Sequence, residues 1–232
     1  MDYERGKSLR AWGATAQAIQ ASLAEWQSGQ TLTGIIVTNP SPMELQKLLR
    51  SLPDAAATDR FQVVYFGARH TVTGDWEFTR QDDGERAWDA LLPAARGLQP
   101  GRVVILDICH AGTVCAQPTW RERLAPAATL LASDRKEWTY ELDFNCRQPG
   151  DLSSRYPAAA AWLRGHLPSD WDGRLSNLGV VWVLAYLQTP QVPHNLRDWQ
   201  DFFAHCEHEG AQLRELLPPD RISFIRQDPP RP

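Results

Sequence analysis

The fold is decided by residues 103–112, which read VVILDICHAG. The run opens with four apolar residues and lies between Gly101 and Gly112, which predicts a fully buried strand of a parallel sheet. Open α/β sheets place their chemistry at the carboxyl ends of such strands. Cys109 stands at this end, so it is a candidate nucleophile, provided that a base can reach it.

A second apolar run, FQVVYFG at 61–67, leads into Ala68, Arg69 and His70. Its valines and aromatic residues favour a strand. If the two predicted strands are parallel neighbours, His70 and Cys109 project from the same edge of the sheet. A Cys–His pair of this kind is sufficient for thiol-based acyl transfer.

These motifs resemble those of caspase-like cysteine peptidases, the group of caspases, metacaspases, gingipains, separases and bacterial caspase homologues. In that family, Tyr-(Tyr/Phe)-Ser-Gly-His-Gly at a strand end supplies the catalytic His, and Asp-x-Cys-(His/Phe)-(Ser/Ala)-Gly supplies the nucleophile. Here DICHAG at 107–112 matches the second motif. The first motif matches in VYFG at 64–67 and departs around His70, where Arg69 and Thr71 stand in place of glycine.

The resemblance implies an α/β fold: a three-layer α/β/α sandwich around a mostly parallel sheet of about six strands. Alternating strand and helix patterns along the chain favour the same class. The 232 residues, 43% hydrophobic and 22% charged, suit one globular domain. We therefore expect a single caspase-like peptidase domain over 1–228 and a disordered tail at 229–232.

Several local patterns predict individual elements. Residues 7–14 occupy the place of the family's first strand, and the polar stretch 134–150 is expected to be a specificity loop or an activation loop. A last strand is expected at 222–225. Helices are predicted at 16–26, 153–163, 178–187 and 196–217.

Composition narrows the function classes. The formal net charge of −4 gives no electrostatic attraction to nucleic acid, and no apolar run approaches the length of a membrane span. Four cysteines without a pairing pattern and the lack of a signal-peptide pattern favour free thiols in the cytoplasm. The group at 205–208 (HCEH) offers too few ligands for a closed zinc site, so neither a metal nor a cofactor is expected.

In the mechanism that the resemblance implies, the Cys109 thiolate attacks a peptide carbonyl and His70 protonates the leaving amine. The backbone amides of Cys109 and Thr71 form the oxyanion hole. Each role has a plainer alternative: Cys109 as an ordinary buried thiol, and His70 on a surface hairpin. His110 is expected to pack the turn rather than to act as the base.

Asp107 is the candidate specificity residue. In the metacaspase, gingipain and separase branches, the Asp of the Asp-x-Cys motif helps to line a pocket for a substrate Arg or Lys, and a guanidinium can bind a carboxylate bidentately. Asp134, Glu137 and Glu141 could add negative charge to this pocket. In the alternative interpretation, Asp107 only accepts backbone N–H bonds from the turn that follows it.

The sequence thus predicts a cysteine endopeptidase that cleaves a protein or peptide after Arg or Lys. By analogy it acts in a bacterial antiviral defence or cell-death system, under an activating sensor or regulatory protein, with no direct role for nucleic acid or membrane. An inactive caspase-like scaffold that binds partner proteins is the alternative. A nucleotide-binding α/β domain is a third class, disfavoured because no Gly-x-Gly-x-x-Gly or phosphate loop follows a strand.

Overall fold

The computed structural model describes residues 10–26, 47, 51, 62–70, 76–77, 102–108, 111–112, 128–133, 141–144, 151–191, 193–216 and 226–227. Its strands, numbered along the chain, are β1 Gln62–His70, β2 Trp76–Glu77, β3 Arg102–Ile108, β4 Ala128–Leu131, β5 Glu141–Asp143, β6 Arg174–Ser176 and β7 Arg226–Gln227. Its helices are α1 Arg10–Trp26, α2 Leu152–Arg155, α3 Pro157–His166, α4 Asn177–Gln188 and α5 Leu196–Leu216.

The main sheet has the strand order β2-β1-β3-β4-β7. Strands β1, β3 and β4 are parallel, while β2 and β7 pair antiparallel with β1 and β4 at the two edges. Strands β5 and β6 form a separate antiparallel pair. The expected mixture of helices and parallel strands is confirmed. Within the described ranges, however, the sheet has five strands and only its central three are parallel, because two-residue strands close both edges.

Strand β3 is buried on both faces, as its unbroken apolar run predicts. Val103 and Ile105 lie on one face and Val104 and Leu106 on the other, each at most 1% exposed. The face of Val103 and Ile105 belongs to one hydrophobic core with α1, α4 and α5. Helix α4 lies at the centre of that core, and every residue from 177 to 185 is buried.

The expected first strand at 7–14 is wrong for its described part, because Arg10–Trp26 forms one continuous helix. Its buried residues recur three and four apart, as in Ala11, Thr15 and Ala18, and this period belongs to a helix face rather than to a strand. Small residues on this face also allow α1 to lie close to its neighbours.

The helix predicted at 153–163 is interrupted. Helix α2 ends at Arg155 and α3 begins at Pro157, because proline disfavours the helical conformation in the residue before it. Tyr156 accordingly leaves the helical region, with φ −122° and ψ 63°. The predictions for α4 and α5 are confirmed to within one residue at each end.

Two further expectations concern the stretch 134–150 and the C-terminal end of the chain. The stretch 134–150 is not wholly a loop, since it contains β5. The strand expected at 222–225 and the tail at 229–232 lie outside the described residues, and the described C-terminal strand is β7. None of the helices in the described ranges has the length and apolar character needed to cross a membrane.

A pair of helical glycines tests how tightly α1 packs on α4. A Cβ at Gly179 would collide with the Thr15 side chain, whereas a Cβ at Gly165 meets no atom within 4 Å. We expect Gly179→Ala to lower the free energy of unfolding by about 1–3 kcal/mol through overpacking. Gly165→Ala should raise it by about 0.5–1 kcal/mol through helix propensity. Urea denaturation measures both; equal effects of the two substitutions would contradict the close contact.

Candidate active site

The parallel register of β1 and β3 brings the two strand ends next to the candidate catalytic residues to one edge of the sheet. Gly67 lies opposite Asp107 and Ala68 opposite Ile108. His70 is the last residue of β1, and Cys109 directly follows β3. The expectation that these strands are parallel neighbours is therefore confirmed, and the ends of β1 and β3 share the carboxyl edge, where α/β sheets hold their ligands.

The backbone of His70 is part of a hairpin. Arg69 pairs with Glu77 and His70 with Trp76 in the antiparallel β1–β2 ladder. The His70 side chain lies outside the described part of the structure, as do Thr71, Cys109, His110 and Asp134. The roles assigned to them in catalysis, the oxyanion hole and substrate binding therefore stay predictions.

Asp107 is fully described and wholly buried, with 0% of its surface exposed. Its Oδ2 atom accepts hydrogen bonds from the Tyr65 hydroxyl at 2.7 Å and the Ser176 hydroxyl at 2.5 Å. Its Oδ1 atom has no hydrogen-bond partner among the described residues. The interpretation that Asp107 accepts only backbone N–H bonds is wrong, because its donors are side-chain hydroxyls from distant segments.

The donors of Asp107 connect it to two helices. Ser176 is the N-cap of α4, where its hydroxyl oxygen accepts from the Gly179 N–H at 3.0 Å. The Ser176 N–H donates to Thr15 Oγ1 on α1 at 3.1 Å, and the Trp12 indole donates to the Asp107 carbonyl at 3.0 Å. Asp107, Tyr65, Ser176, Thr15 and Trp12 thus form one cluster, the Asp107 cluster, in which Tyr65 is partly buried and the other four residues are buried.

Burial dominates the electrostatics of the Asp107 cluster. Loss of solvation raises the pKa of Asp107 from 3.8 to about 6, against the opposing effect of the hydrogen bonds from Ser176, Tyr65 and Trp12. The pKa of Tyr65 is also raised, by burial and by the Asp107 charge, so its hydroxyl remains a donor. A carboxylate held in this way gains from a cation that reaches its second oxygen.

Ser133 holds the turn that follows Cys109. The Ala111 N–H donates to Ser133 Oγ at 3.0 Å, and the Gly112 N–H donates to the Ser133 carbonyl at 3.1 Å. Ser133 follows β4 and is completely buried. Ser133 is assigned no role in the site by the sequence analysis.

Sequence reasoning also missed the partners of Asp107. Ser176 could have been recognised as an N-cap, since a serine there precedes the apolar run of α4. Nothing local connects it to Asp107, which lies 69 residues earlier in the chain. Tyr65 was assigned only to a strand, although its hydroxyl is the other donor to Asp107 Oδ2.

The described residues contain no group of three or more His, Cys, Asp or Glu side chains that could hold a metal ion. In the HCEH stretch, His205 instead lies 3.3 Å from the Gln188 amide oxygen and 3.6 Å from the Glu209 carboxylate. No protein-family model matches the chain, and no curated protein matches it.

Asp107 makes stability depend on pH in a definite direction. Its folded pKa is raised, so its contribution is complete below about pH 3.8 and is lost as the pH rises through about 6. The difference between a pKa of 3.8 and one of about 6 corresponds to a loss of at most about 3 kcal/mol in the free energy of unfolding. The side chain that Asp107→Asn introduces cannot ionise. Between about pH 4 and about pH 7.5, the free energy of unfolding of this variant should therefore fall less than that of the unsubstituted chain, by up to about 3 kcal/mol.

The measurement is the free energy of unfolding in urea at both pH values. Asp201→Asn is the matched control, since it makes the same chemical change at an exposed position of α5. An Asp107→Asn protein with the same pH dependence as the unsubstituted chain would contradict a buried carboxyl that titrates near pH 6.

Proposed function

We propose that this protein is a caspase-like cysteine endopeptidase with a three-layer α/β/α domain and a Cys109–His70 dyad. The observation that supports the proposal is the parallel register of β1 and β3: His70 is the last residue of β1, and Cys109 follows β3 in the sequence. Asp107 supports it as a buried carboxyl two residues before the proposed nucleophile. Perturbed titratable groups of this kind concentrate at functional sites.

The proposed reaction is peptide hydrolysis in two steps. The Cys109 sulfur bonds to the substrate carbonyl carbon, and the C–N bond breaks as His70 gives a proton to the leaving amine. The amides of Cys109 and Thr71 stabilise the oxyanion. Water then attacks the acyl-enzyme, which releases the acid product and restores the thiol. The reaction needs neither metal nor cofactor.

The proposed substrates carry Arg or Lys before the scissile bond. A cationic side chain at Asp107 Oδ1 would offset the unfavourable burial of the ionised carboxylate, and Asp134 would add negative charge. Because Asp107 has no exposed surface, the cation reaches it only when a neighbour moves aside. Tyr65 is the candidate for this movement, since it is only partly buried.

The biological proposal rests on the family resemblance. The enzyme would process a partner protein in the cytoplasm as part of a bacterial defence or cell-death response, after activation by a sensor or regulatory protein. The segment 134–150, which includes β5, is the proposed place where such activation orders the pocket.

A fluorogenic peptide library varied at the residue before the scissile bond tests the dyad. We expect Cys109→Ala to abolish cleavage, and His70→Ala to reduce kcat/KM by about 100-fold to 10,000-fold through loss of the general acid. Cys115→Ala and His194→Ala are the matched controls and should retain activity. Equal cleavage by Cys109→Ala and the unsubstituted chain would exclude the dyad.

Specificity is tested separately with Asp107→Asn, which preserves the shape of the side chain and removes its charge. We expect kcat/KM for peptides with Arg or Lys to fall at least about tenfold, because the desolvated ion pair is lost. The rate at which neutral iodoacetamide alkylates Cys109 should differ little between Asp107→Asn and the unsubstituted chain. Undiminished cleavage after Arg would show that Asp107 is not the cation-binding group.

The alternative is an inactive caspase-like scaffold that binds partner proteins. The pairing of His70 with Trp76 favours it, because a histidine inside a hairpin ladder has less freedom than one in a glycine-flanked loop. This alternative predicts no cleavage of any peptide by the unsubstituted chain, together with capture of a partner that Cys109→Ala captures equally well.

A further inference from the structure

Ser133 lies at the carboxyl edge of the sheet, one strand away from the end of β3, which Cys109 follows in the sequence. Leu106 of β3 pairs with Leu131 of β4, and the Ala132 N–H continues this ladder by donating to the Leu106 carbonyl at 3.0 Å. Ser133 is the next residue along the chain. It therefore stands beside the end of β3.

Among the described residues, Ser133 accepts two hydrogen bonds from this turn, and both come from backbone N–H groups. Ala111 and Gly112 have helical backbone conformation. Their N–H groups bond outside the helical segment, as the N–H groups at the start of a helix do. The Ser133 hydroxyl and carbonyl oxygens accept from these two N–H groups, and all three residues are buried.

The backbone is thus held on both sides of Cys109. Before it, Asp107 and Ile108 are paired with β1. After it, Ala111 and Gly112 are bonded to Ser133. Between these fixed points only Cys109 and His110 intervene, so the direction of the turn depends on where Ser133 holds Ala111.

We infer that Ser133 is a positioning residue for Cys109: its hydroxyl sets the turn that orients the thiol and the Cys109 backbone amide. This inference rests on the proposed function, in which Cys109 is the nucleophile. Ser133 is not itself catalytic, because it acts through the backbone of Ala111 and Gly112. Loss of the hydroxyl leaves a buried Ala111 N–H without its acceptor, and the turn must shift to find another.

The chain offers a matched control for loss of a buried hydroxyl. Thr129 lies on β4, only 4% exposed, and its hydroxyl oxygen has no hydrogen-bond partner within the described ranges. Thr129→Val therefore removes a buried hydroxyl four residues before Ser133 without removing a described hydrogen bond. It should leave both peptidase activity and thiol reactivity unchanged.

The test compares Ser133→Thr with Ser133→Val, which have the same shape and differ by the hydroxyl. We expect Ser133→Val to lower kcat by about tenfold to a hundredfold through misplacement of the reacting groups, with KM nearly unchanged. Ser133→Thr should restore most of kcat. Ser133→Ala provides a third comparison; should it fail to fold, the Thr and Val variants still isolate the oxygen atom.

A second readout does not require peptidase activity. The rate of iodoacetamide alkylation at Cys109, followed across pH by peptide mass mapping, reports the environment of this thiol. The pH profile should shift in Ser133→Val and return in Ser133→Thr. A profile unchanged in folded Ser133→Val would overturn the inference, even if that variant melts at a lower temperature.

The two proposals fail differently. Absence of peptide cleavage by the unsubstituted chain would count against the proposed function, whereas the alkylation profiles would still decide the role of Ser133. Conversely, Cys109-dependent cleavage with an equal kcat in Ser133→Thr and Ser133→Val would support the peptidase and overturn the positioning role.

Discussion

The interaction on which the rest of the structure depends is the hydrogen bonding of the buried Asp107 carboxylate. A charge without solvent contact is tolerated only where donors replace the water that it loses. Tyr65 supplies one donor from β1, and Ser176 supplies the other from the start of α4. The same carboxylate therefore links the central sheet to the helices that cover it, and the strand ends that carry His70 and Cys109 are held in place with it.

This arrangement satisfies the carboxylate incompletely. One oxygen has two donors, the other has none within the described residues, and burial brings the pKa of the group to about 6. A residue retained only for stability would be better replaced by an apolar side chain of similar size. In the proposed function, a substrate cation would supply the interactions that Asp107 Oδ1 lacks within the described residues.

Elements with strong local patterns could be predicted, and those governed by one residue or by a distant contact could not. Strand β3 and helices α4 and α5 follow from apolar runs and helical periodicity. The break before Pro157 is a local signal that periodicity alone overlooks. The strand expected at the start of α1 rests on the place of the first strand in the family that the chain resembles. The spacing of Ala11, Thr15 and Ala18 is instead that of a helix.

The sequence by itself determined the central strands and the positions of Cys109, His70 and Asp107 at or near their ends, because strand propensity and apolar runs act over a few neighbouring residues. Only the tertiary structure decided which side chains meet there. Tyr65 lies 42 residues from Asp107, and Ser133 lies 22 residues from Ala111. Such pairs form because buried donors and acceptors must find partners wherever packing brings them together, and this requirement has no period in the sequence.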